Sequence, residues 1–151
     1  MKLIAHRGLM NGPDPSKENT IEQIDLALKE GFDVEVDVWW SNGRFWLGHD
    51  APTTEVEYHF LKQKGLWIHC KNVNALDKMV RAPKRLNYFW HHIDEYTLTS
   101  KGIPWVYPGK QLLQDGVCVL PEETMELKDV TTLDVYGICS DYVAEIKEIL
   151  K

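Results

Sequence analysis

Cysteine is scarce in this sequence, and basic charge is not in excess. Of the 151 residues only 3 are cysteines, Cys70, Cys118 and Cys139, and they form no C-x-x-C pair. An odd number of cysteines, all in predicted strands, indicates buried free thiols rather than disulfides or a nucleophile. Acidic residues outnumber basic ones by 23 to 17, and the formal net charge is −6. This balance argues against a duplex nucleic-acid binder, which would present a basic face.

Long hydrophobic runs are missing as well. No segment approaches the roughly 20 apolar residues of a transmembrane helix, and the first residues do not form an apolar signal stretch. We therefore expect no membrane insertion and a cytoplasmic location. Repeats, low-complexity tracts and linkers are also absent, and 44% of the residues are hydrophobic. The chain is expected to form a single domain over residues 1–151.

What the sequence does contain is a regular alternation of short apolar strands and short helical patterns. This alternation is typical of an α/β domain with parallel strands. The predicted helices begin at a capping box on Thr20, at Asn74 and near Asp141. Because an eight-fold β/α barrel takes roughly 200 residues or more, we expect a compact or incomplete TIM-like β/α barrel. The predicted strands cover residues 3–6, 33–39, 45–49, 66–70, 86–90, 104–107, 117–120 and 136–139.

The segment Val34-Glu35-Val36-Asp37-Val38 carries the clearest chemical signal. On a strand the three valines share one face, and Glu35 and Asp37 share the other. If the strand is exposed on one side, the acidic face is simply solvated. If the strand lines a barrel, both carboxylates stay ionised only beside a cation. A divalent ion is the natural partner, because hard cations select carboxylate oxygens.

Two histidines, His6 and His49, lie at predicted strand ends, which form the reactive rim of a β/α barrel. A single histidine there is usually structural, but of two histidines one can remove a proton while the other donates one. Asp50 is expected to brace its loop rather than orient His49, since neighbours on a strand point to opposite faces. Arg7 can hold a phosphate with its planar guanidinium. Alternatively, it forms a salt bridge to Glu18 or to the acidic pair.

A third cluster lies on the strand predicted over residues 66–70. His69 and Lys71 are two residues apart and share a face. Lys71 can neutralise a phosphate or the acidic pair, and His69 can be a metal ligand. The competing interpretation is a charge-balanced core network that holds no metal.

These clusters resemble the signature of the glycerophosphodiester phosphodiesterase family. The resemblance is carried by Ile4-Ala5-His6-Arg7-Gly8, Glu18-Asn19-Thr20, Glu35-x-Asp37 and His49-Asp50, and more weakly by residues 68–71 and 137–141. It implies a phospholipase-like barrel in which His6 and His49 act as general base and general acid. It also implies that Arg7 holds the phosphate and that Glu35 and Asp37 bind magnesium or calcium.

The sequence departs from the family pattern at two places. The family usually has a glutamate where this chain has His69, and it keeps the lysine that corresponds to Lys71. Imidazole is a poor ligand for calcium and a mediocre one for magnesium, so the metal can shift toward manganese or another transition ion. If His69 does not ligate, water or Glu122 fills the gap. The second departure is the short segment 51–65, where the family often has an insertion that helps to recognise glycerol.

We therefore expect a phosphodiester hydrolase that acts on a glycerophosphodiester or a related polyol or sugar phosphodiester. One alternative is a phospholipase D-like or lyase relative that releases a cyclic phosphate. Another is a non-catalytic phosphosugar-binding module on a degenerate barrel. The retention of both histidines counts against a pure binder, because binding needs no acid–base pair. An incomplete barrel would also leave a seam that a second subunit can cover, so a homodimer is a further hypothesis.

Overall fold

The fold is organised around one curled β-sheet, as a computed structural model of residues 1–82 and 86–151 shows. The helices among these residues are α1 (Ile21–Lys29), α2 (Tyr58–Leu61), α3 (Val73–Val80) and α4 (Val143–Ile149), with short 3-10 helices at His6–Gly8, Pro121–Glu123 and Leu127–Thr132. The strands are β1 (Lys2–Ala5), β2 (Asp33–Ser41), β3 (Arg44–Leu47), β4 (Thr54–Val56), β5 (Leu66–Cys70), β6 (Tyr88–Trp90), β7 (Tyr96–Leu98), β8 (Pro104–Val106), β9 (Val117–Val119) and β10 (Gly137–Ser140).

Parallel pairing dominates the centre of the sheet. Strand β1 lies between β10 and β2, β2 also pairs with β5, and β5 pairs with β6. On the other side β10 pairs with β9 and β9 with β8, so seven strands run in one direction. Strands β3, β4 and β7 are antiparallel additions to this set. Within the described ranges no strand ladder joins β6 to β7, although the Ser100 amide donates to the Tyr88 carbonyl at 2.7 Å.

The prediction of a TIM-like β/α barrel is wrong. The described residues form a mixed sheet that curls only part of the way round, with few and short helices, the longest being the nine-residue α1. The reason lies in the connections. A parallel crossover with a helix needs at least about 10–12 residues; β8 and β9 are joined by ten, residues 107–116, which is at this lower limit, and these residues form no helix. The connection between β6 and β8 forms strand β7 instead of a helix.

The two faces of the sheet have different partners. The valines of β2 belong to an outer hydrophobic layer that includes Ile24 of α1 and Met79 of α3. A separate inner cluster fills the concave side, formed by Ile4, Trp67, Phe89, Trp105, Val117, Val119 and Cys139. Glu35 and Asp37 alternate with the valines and are only 2% and 1% exposed. A solvated acidic face is therefore excluded, and the two carboxylates lie at the inner side of the curled sheet.

Local details differ from the prediction in ways that matter for the site. Strand β3 ends at Leu47, so His49 lies in a bend rather than on a strand. Helix α3 is capped by Asn72, whose side chain accepts the Ala75 amide proton, and not by Asn74. The three cysteines are buried free thiols, as predicted. Among the described residues, no helix combines the length and apolar character needed to cross a bilayer.

Candidate functional site

One cavity of about 340 Å³ collects the side chains that the sequence singled out. It lies at the ends of β1, β2 and β5, because the carboxyl ends of parallel strands meet at one edge of a sheet. Its wall includes all seven predicted site residues: His6, Arg7, Glu35, Asp37, His49, His69 and Lys71. The rest of the lining, to which the sequence analysis assigned no role, is formed by His91, His92, Trp105, Tyr107, Pro108, Val119, Leu120 and Glu123.

One oxygen of each buried carboxylate accepts a hydrogen bond from a neighbouring part of the chain. The Arg7 amide donates to Glu35 Oε2 at 3.1 Å, and Asn19 Nδ2 donates to Asp37 Oδ2 at 2.9 Å. Asn19 also accepts the Asp37 amide proton at 3.0 Å. Arg7 and Asn19 both have left-handed backbones, with φ of 52° and 53°, a conformation uncommon for residues other than glycine. This conformation directs the Arg7 amide toward Glu35 and the Asn19 side chain toward Asp37. The second oxygens, Glu35 Oε1 and Asp37 Oδ1, are left for other partners.

His69 completes a group of three possible metal ligands. Its Nδ1 lies 3.0 Å from Asp37 Oδ1 and 3.7 Å from Glu35 Oε1, and one donor atom from each of the three residues lies within 4.8 Å of the others. The ring stacks on Phe89 at 5.1 Å, and its Nε2 donates to the His91 carbonyl at 2.8 Å. With Nε2 protonated, Nδ1 either carries a second proton or offers its lone pair to a metal. The donor set therefore fits a divalent ion.

The charges around the two acids are not evenly shared. Burial and the neighbouring Asp37 charge raise the pKa of Glu35. Burial alone would also raise the pKa of Asp37, but the His69 hydrogen bond and the Lys71 and Arg7 charges lower it. Lys71 Nζ lies 3.5 Å from Asp37 Oδ1. The cationic side chains of Arg7 and Lys71 therefore lie closer to Asp37 than to Glu35.

Arg7 forms the ion pairs that were left open as the alternative to phosphate binding. Its Nη1 donates to Glu18 Oε2 at 2.9 Å, and its Nε lies 3.4 Å from Asp37 Oδ2. The Nε atom is buried and makes no hydrogen bond of good geometry. The guanidinium therefore braces the acidic pair while it also lines the cavity. Phosphate binding by Arg7 stays a prediction.

His6 is held by an acid that sequence reasoning missed. Its Nδ1 lies 2.8 Å from Asp141 Oδ1, and both side chains are 14% exposed. Burial would lower the pKa of His6, but the hydrogen bond to Asp141 and the charge of Glu35 outweigh it and raise the pKa. Asp141 lies 135 positions away in sequence. In the sequence it stands out only as the end of the segment 137–141 in the family resemblance and as a helix start. In the structure it follows Ser140, which pairs with Ala5, the residue before His6.

His49 has a more exposed partner than His6. Its Nδ1 lies 2.8 Å from Asp50 Oδ1, so Asp50 contacts the His49 ring, although the sequence favoured a role in bracing the loop. The alternation rule does not apply because both residues lie in the bend after β3. Burial lowers the pKa of His49; Asp37 opposes this shift, while Arg7 and Lys71 add to it.

Glu122 does not reach the group of three metal donors. Its Oε1 accepts hydrogen bonds from the Ser140 hydroxyl and the Asp141 amide, both at 2.9 Å. Burial raises the pKa of Glu122. This carboxyl therefore supports the loop that carries Asp141 and does not replace His69 as a ligand.

The cavity brings together two imidazoles, each with a carboxylate partner, three metal donors and two cationic side chains. Such a set can move two protons and hold an anion beside a metal. No family model matches the chain, and no curated protein matches it either. The chemistry of the cavity is therefore what supports a functional proposal.

Proposed function

We propose that this protein is a metal-dependent phosphodiester hydrolase that uses histidine acid–base catalysis. The observation that carries the proposal is the convergence of His6, His49 and the three metal donors on one cavity. The substrate class is a glycerophosphodiester or a related polyol or sugar phosphodiester, in line with the resemblance to glycerophosphodiester phosphodiesterases. A cavity of about 340 Å³ is at the small end of the range for small-molecule sites.

Glu35, Asp37 and His69 would hold the metal. An all-oxygen set suits magnesium or calcium, but the imidazole nitrogen of His69 shifts the preference toward manganese or another transition ion. When bound, a divalent ion supplies charge that stabilises a phosphate oxygen in the transition state. The His91 carbonyl, which accepts from His69 Nε2 at 2.8 Å, keeps Nδ1 turned toward the carboxylates.

The remaining groups act on the substrate directly. In each imidazole Nδ1 is paired with an aspartate, so Nε2 is the nitrogen left for a substrate proton. One histidine removes a proton from the attacking hydroxyl or water, and the other protonates the departing alcohol. Lys71 lines the cavity with its side chain only 16% exposed, and its charge offsets that of the phosphate.

Hydrolysis of bis(p-nitrophenyl) phosphate by the chelator-treated protein, with and without added Mn²⁺, tests the proposal. We expect Mn²⁺-dependent release of p-nitrophenol that falls at least about 100-fold in the variant that lacks the general base. With a glycerophosphodiester whose leaving group is an alkyl alcohol, both His6→Ala and His49→Ala should lower the rate at least about 100-fold, because this leaving group also needs the general acid. His59→Ala is the matched control, because His59 is exposed on α2 and does not line the cavity. Activity that survives in both cavity variants or that ignores the chelator contradicts the proposal. Metal and phosphate binding without turnover would favour the non-catalytic binding module instead.

Two further measurements define the reaction and the metal. Phosphorus NMR of the products of a glycerophosphodiester distinguishes hydrolysis from a lyase, since only a lyase accumulates the cyclic ester. Calorimetric titration with Mn²⁺ should show one site in the wild type, and Glu35→Gln should weaken it at least about tenfold because one anionic ligand is lost. A Glu35→Gln variant that binds Mn²⁺ like the wild type would place the metal elsewhere.

A further inference from the structure

A second pocket, of about 480 Å³, lies at the opposite end of the parallel strands from the candidate site. Three of its lining residues begin strands, namely Lys2 in β1, Asp33 in β2 and Leu66 in β5, and we call it the amino-end pocket. The inner hydrophobic cluster separates it from the candidate site: Trp67 lines the amino-end pocket, Trp105 lines the candidate site, and their ring centres lie 5.8 Å apart. None of the proposed metal donors or catalytic histidines is among its described lining residues.

The rim of the amino-end pocket is basic, although the chain as a whole carries a net charge of −6. Its described lining contains four lysines, which are Lys2, Lys62, Lys64 and Lys101. Asp33, the one acid in that lining, is already paired, because its carboxylate accepts from Lys2 Nζ at 3.2 Å and from Trp67 Nε1 at 3.0 Å. A local excess of cations on an acidic protein attracts an anion to that place.

Below this basic rim the amino-end pocket is apolar and aromatic. Leu61, Leu66 and Leu86 contribute to its lining and are at most 5% exposed. Tyr136 also lines it, and its ring is partly exposed and lies 6.2 Å from that of the buried Trp67. Such a surface suits a flat aromatic ring, which can stack on the tyrosine. A sugar ring suits it less well, because hydroxyl groups buried against leucines would lose their hydrogen bonds.

One side-chain amide in this lining lacks a hydrogen-bond partner. Asn87 Oδ1 is buried and accepts no hydrogen bond from the described residues. The backbone of Asn87 is fixed beside β5, because its carbonyl accepts the Ile68 amide proton at 2.8 Å. Buried polar groups nearly always have a partner, so the unbonded amide can turn toward a ligand at little cost. An asparagine amide matches the N6 and N7 edge of adenine with two hydrogen bonds.

We propose that the amino-end pocket binds an adenine nucleotide. The adenine ring stacks on Tyr136 and pairs with the Asn87 amide, and the lysines of the rim hold the phosphate groups. The volume of about 480 Å³ lies within the range for small-molecule sites. This binding is independent of the proposed hydrolase, because the pocket lies at the other end of the strands and needs no metal.

Calorimetric titration with ADP tests the proposal, with EDTA present and at about 50 mM salt, where surface charges are weakly screened. We expect one site that binds ADP at least about tenfold more tightly than pyrophosphate, which has no base to stack. Tyr136→Ala should weaken ADP binding about tenfold. Asn87→Ala should weaken ADP binding about tenfold and leave UDP binding unchanged. Lys64→Glu should weaken ADP binding, whereas the matched control Lys78→Glu, at an exposed position on α3 outside the pocket, should not.

Three outcomes overturn the proposal. The first is the absence of ADP binding by the wild-type protein, and the second is pyrophosphate binding as tight as that of ADP. The third is ADP binding that persists in Tyr136→Ala but is lost in Lys71→Gln, which would place the nucleotide in the candidate site. Urea unfolding checks that each variant is folded, and Tyr136→Leu replaces Tyr136→Ala if alanine unfolds the protein. None of these outcomes bears on the proposed hydrolase, because its activity is measured separately with Mn²⁺.

Discussion

Gly48 is the position where one added methyl group should separate His49 from the rest of the cavity. Its φ is +142°, and a Cβ there would lie 2.0 Å from the Ala51 carbonyl oxygen and 2.9 Å from Thr53 Oγ1. Ordinary contact begins at 3.4 Å, so the loop must open by about 1.4 Å, the difference between 3.4 and 2.0 Å. A misplacement of about 1 Å can cost roughly 100-fold in rate. We therefore expect Gly48→Ala to lower kcat/KM about 100-fold.

The loop cannot absorb this shift freely, because it is tied to the site on both sides. The Gly48 amide donates to the Asp37 carbonyl at 3.2 Å, and its carbonyl accepts the Trp39 indole proton at 2.6 Å. The assay is Mn²⁺-dependent hydrolysis of a glycerophosphodiester with an alkyl leaving group, which needs both histidines, with urea unfolding measured in parallel. Gly31→Ala is the matched control: φ is +89°, nothing lies within 4 Å of its Cβ, and kcat/KM should not change. A folded Gly48→Ala protein with wild-type kcat/KM refutes the role of this turn.

Three further predictions concern residues around the cavity. Asn19→Gly should lower the free energy of unfolding by about 2–3 kcal/mol, because two buried hydrogen bonds are lost. Asn19→Ala should lower it by roughly 1 kcal/mol more, because alanine is strained in the left-handed backbone conformation of this position. Equal urea midpoints for both variants and the wild type would contradict this prediction. The pKa of His6, followed by proton NMR, should lie above the usual value for histidine, and Asp141→Asn should lower it because the hydrogen bond that raises the pKa is weakened. An unchanged pKa of His6 in Asp141→Asn would contradict the pairing of His6 with Asp141. Tyr107→Ala should raise KM about fivefold by removing an aromatic contact with the substrate and should leave kcat unchanged. Tyr96→Ala is the control, because it removes a similarly exposed ring outside the cavity and should change neither constant. Equal effects on KM would show that Tyr107 does not contact the substrate.

The candidate site was largely predictable from the sequence because its residues lie at or near the ends of strands. The alternation in β2 places Glu35 and Asp37 together, and the register pairs Asp37 directly with His69. Parallel strands bring their carboxyl ends to one edge, so local patterns were enough to bring these side chains together in the prediction.

The supporting residues were harder to predict because they depend on contacts between distant segments. Asp141 reaches His6 only through the β1–β10 pairing. The His91 carbonyl that orients His69 is a backbone group, which carries no residue-type signal. Asn19 was noticed only as part of a motif, and its left-handed turn beneath Asp37 follows from tertiary contacts.

The fold was mispredicted where short connections replace helices. The strand pattern correctly indicated a parallel core. It does not reveal that residues 107–116 form no crossover helix or that residues 96–98 form an antiparallel strand. The barrel was inferred from alternation and resemblance, and both describe the β1–β5 half better than the second half of the chain.

Anomalous X-ray diffraction from a Mn²⁺-soaked crystal, recorded at the manganese edge, tests the metal centre most directly. The expected result is one strong peak within bonding distance of Glu35 Oε1, Asp37 Oδ1 and His69 Nδ1, with Lys71 displaced from Asp37. Absence of a peak there, with His69 still hydrogen-bonded to Asp37, would contradict the metal centre and favour a charge-balanced network that needs no ion.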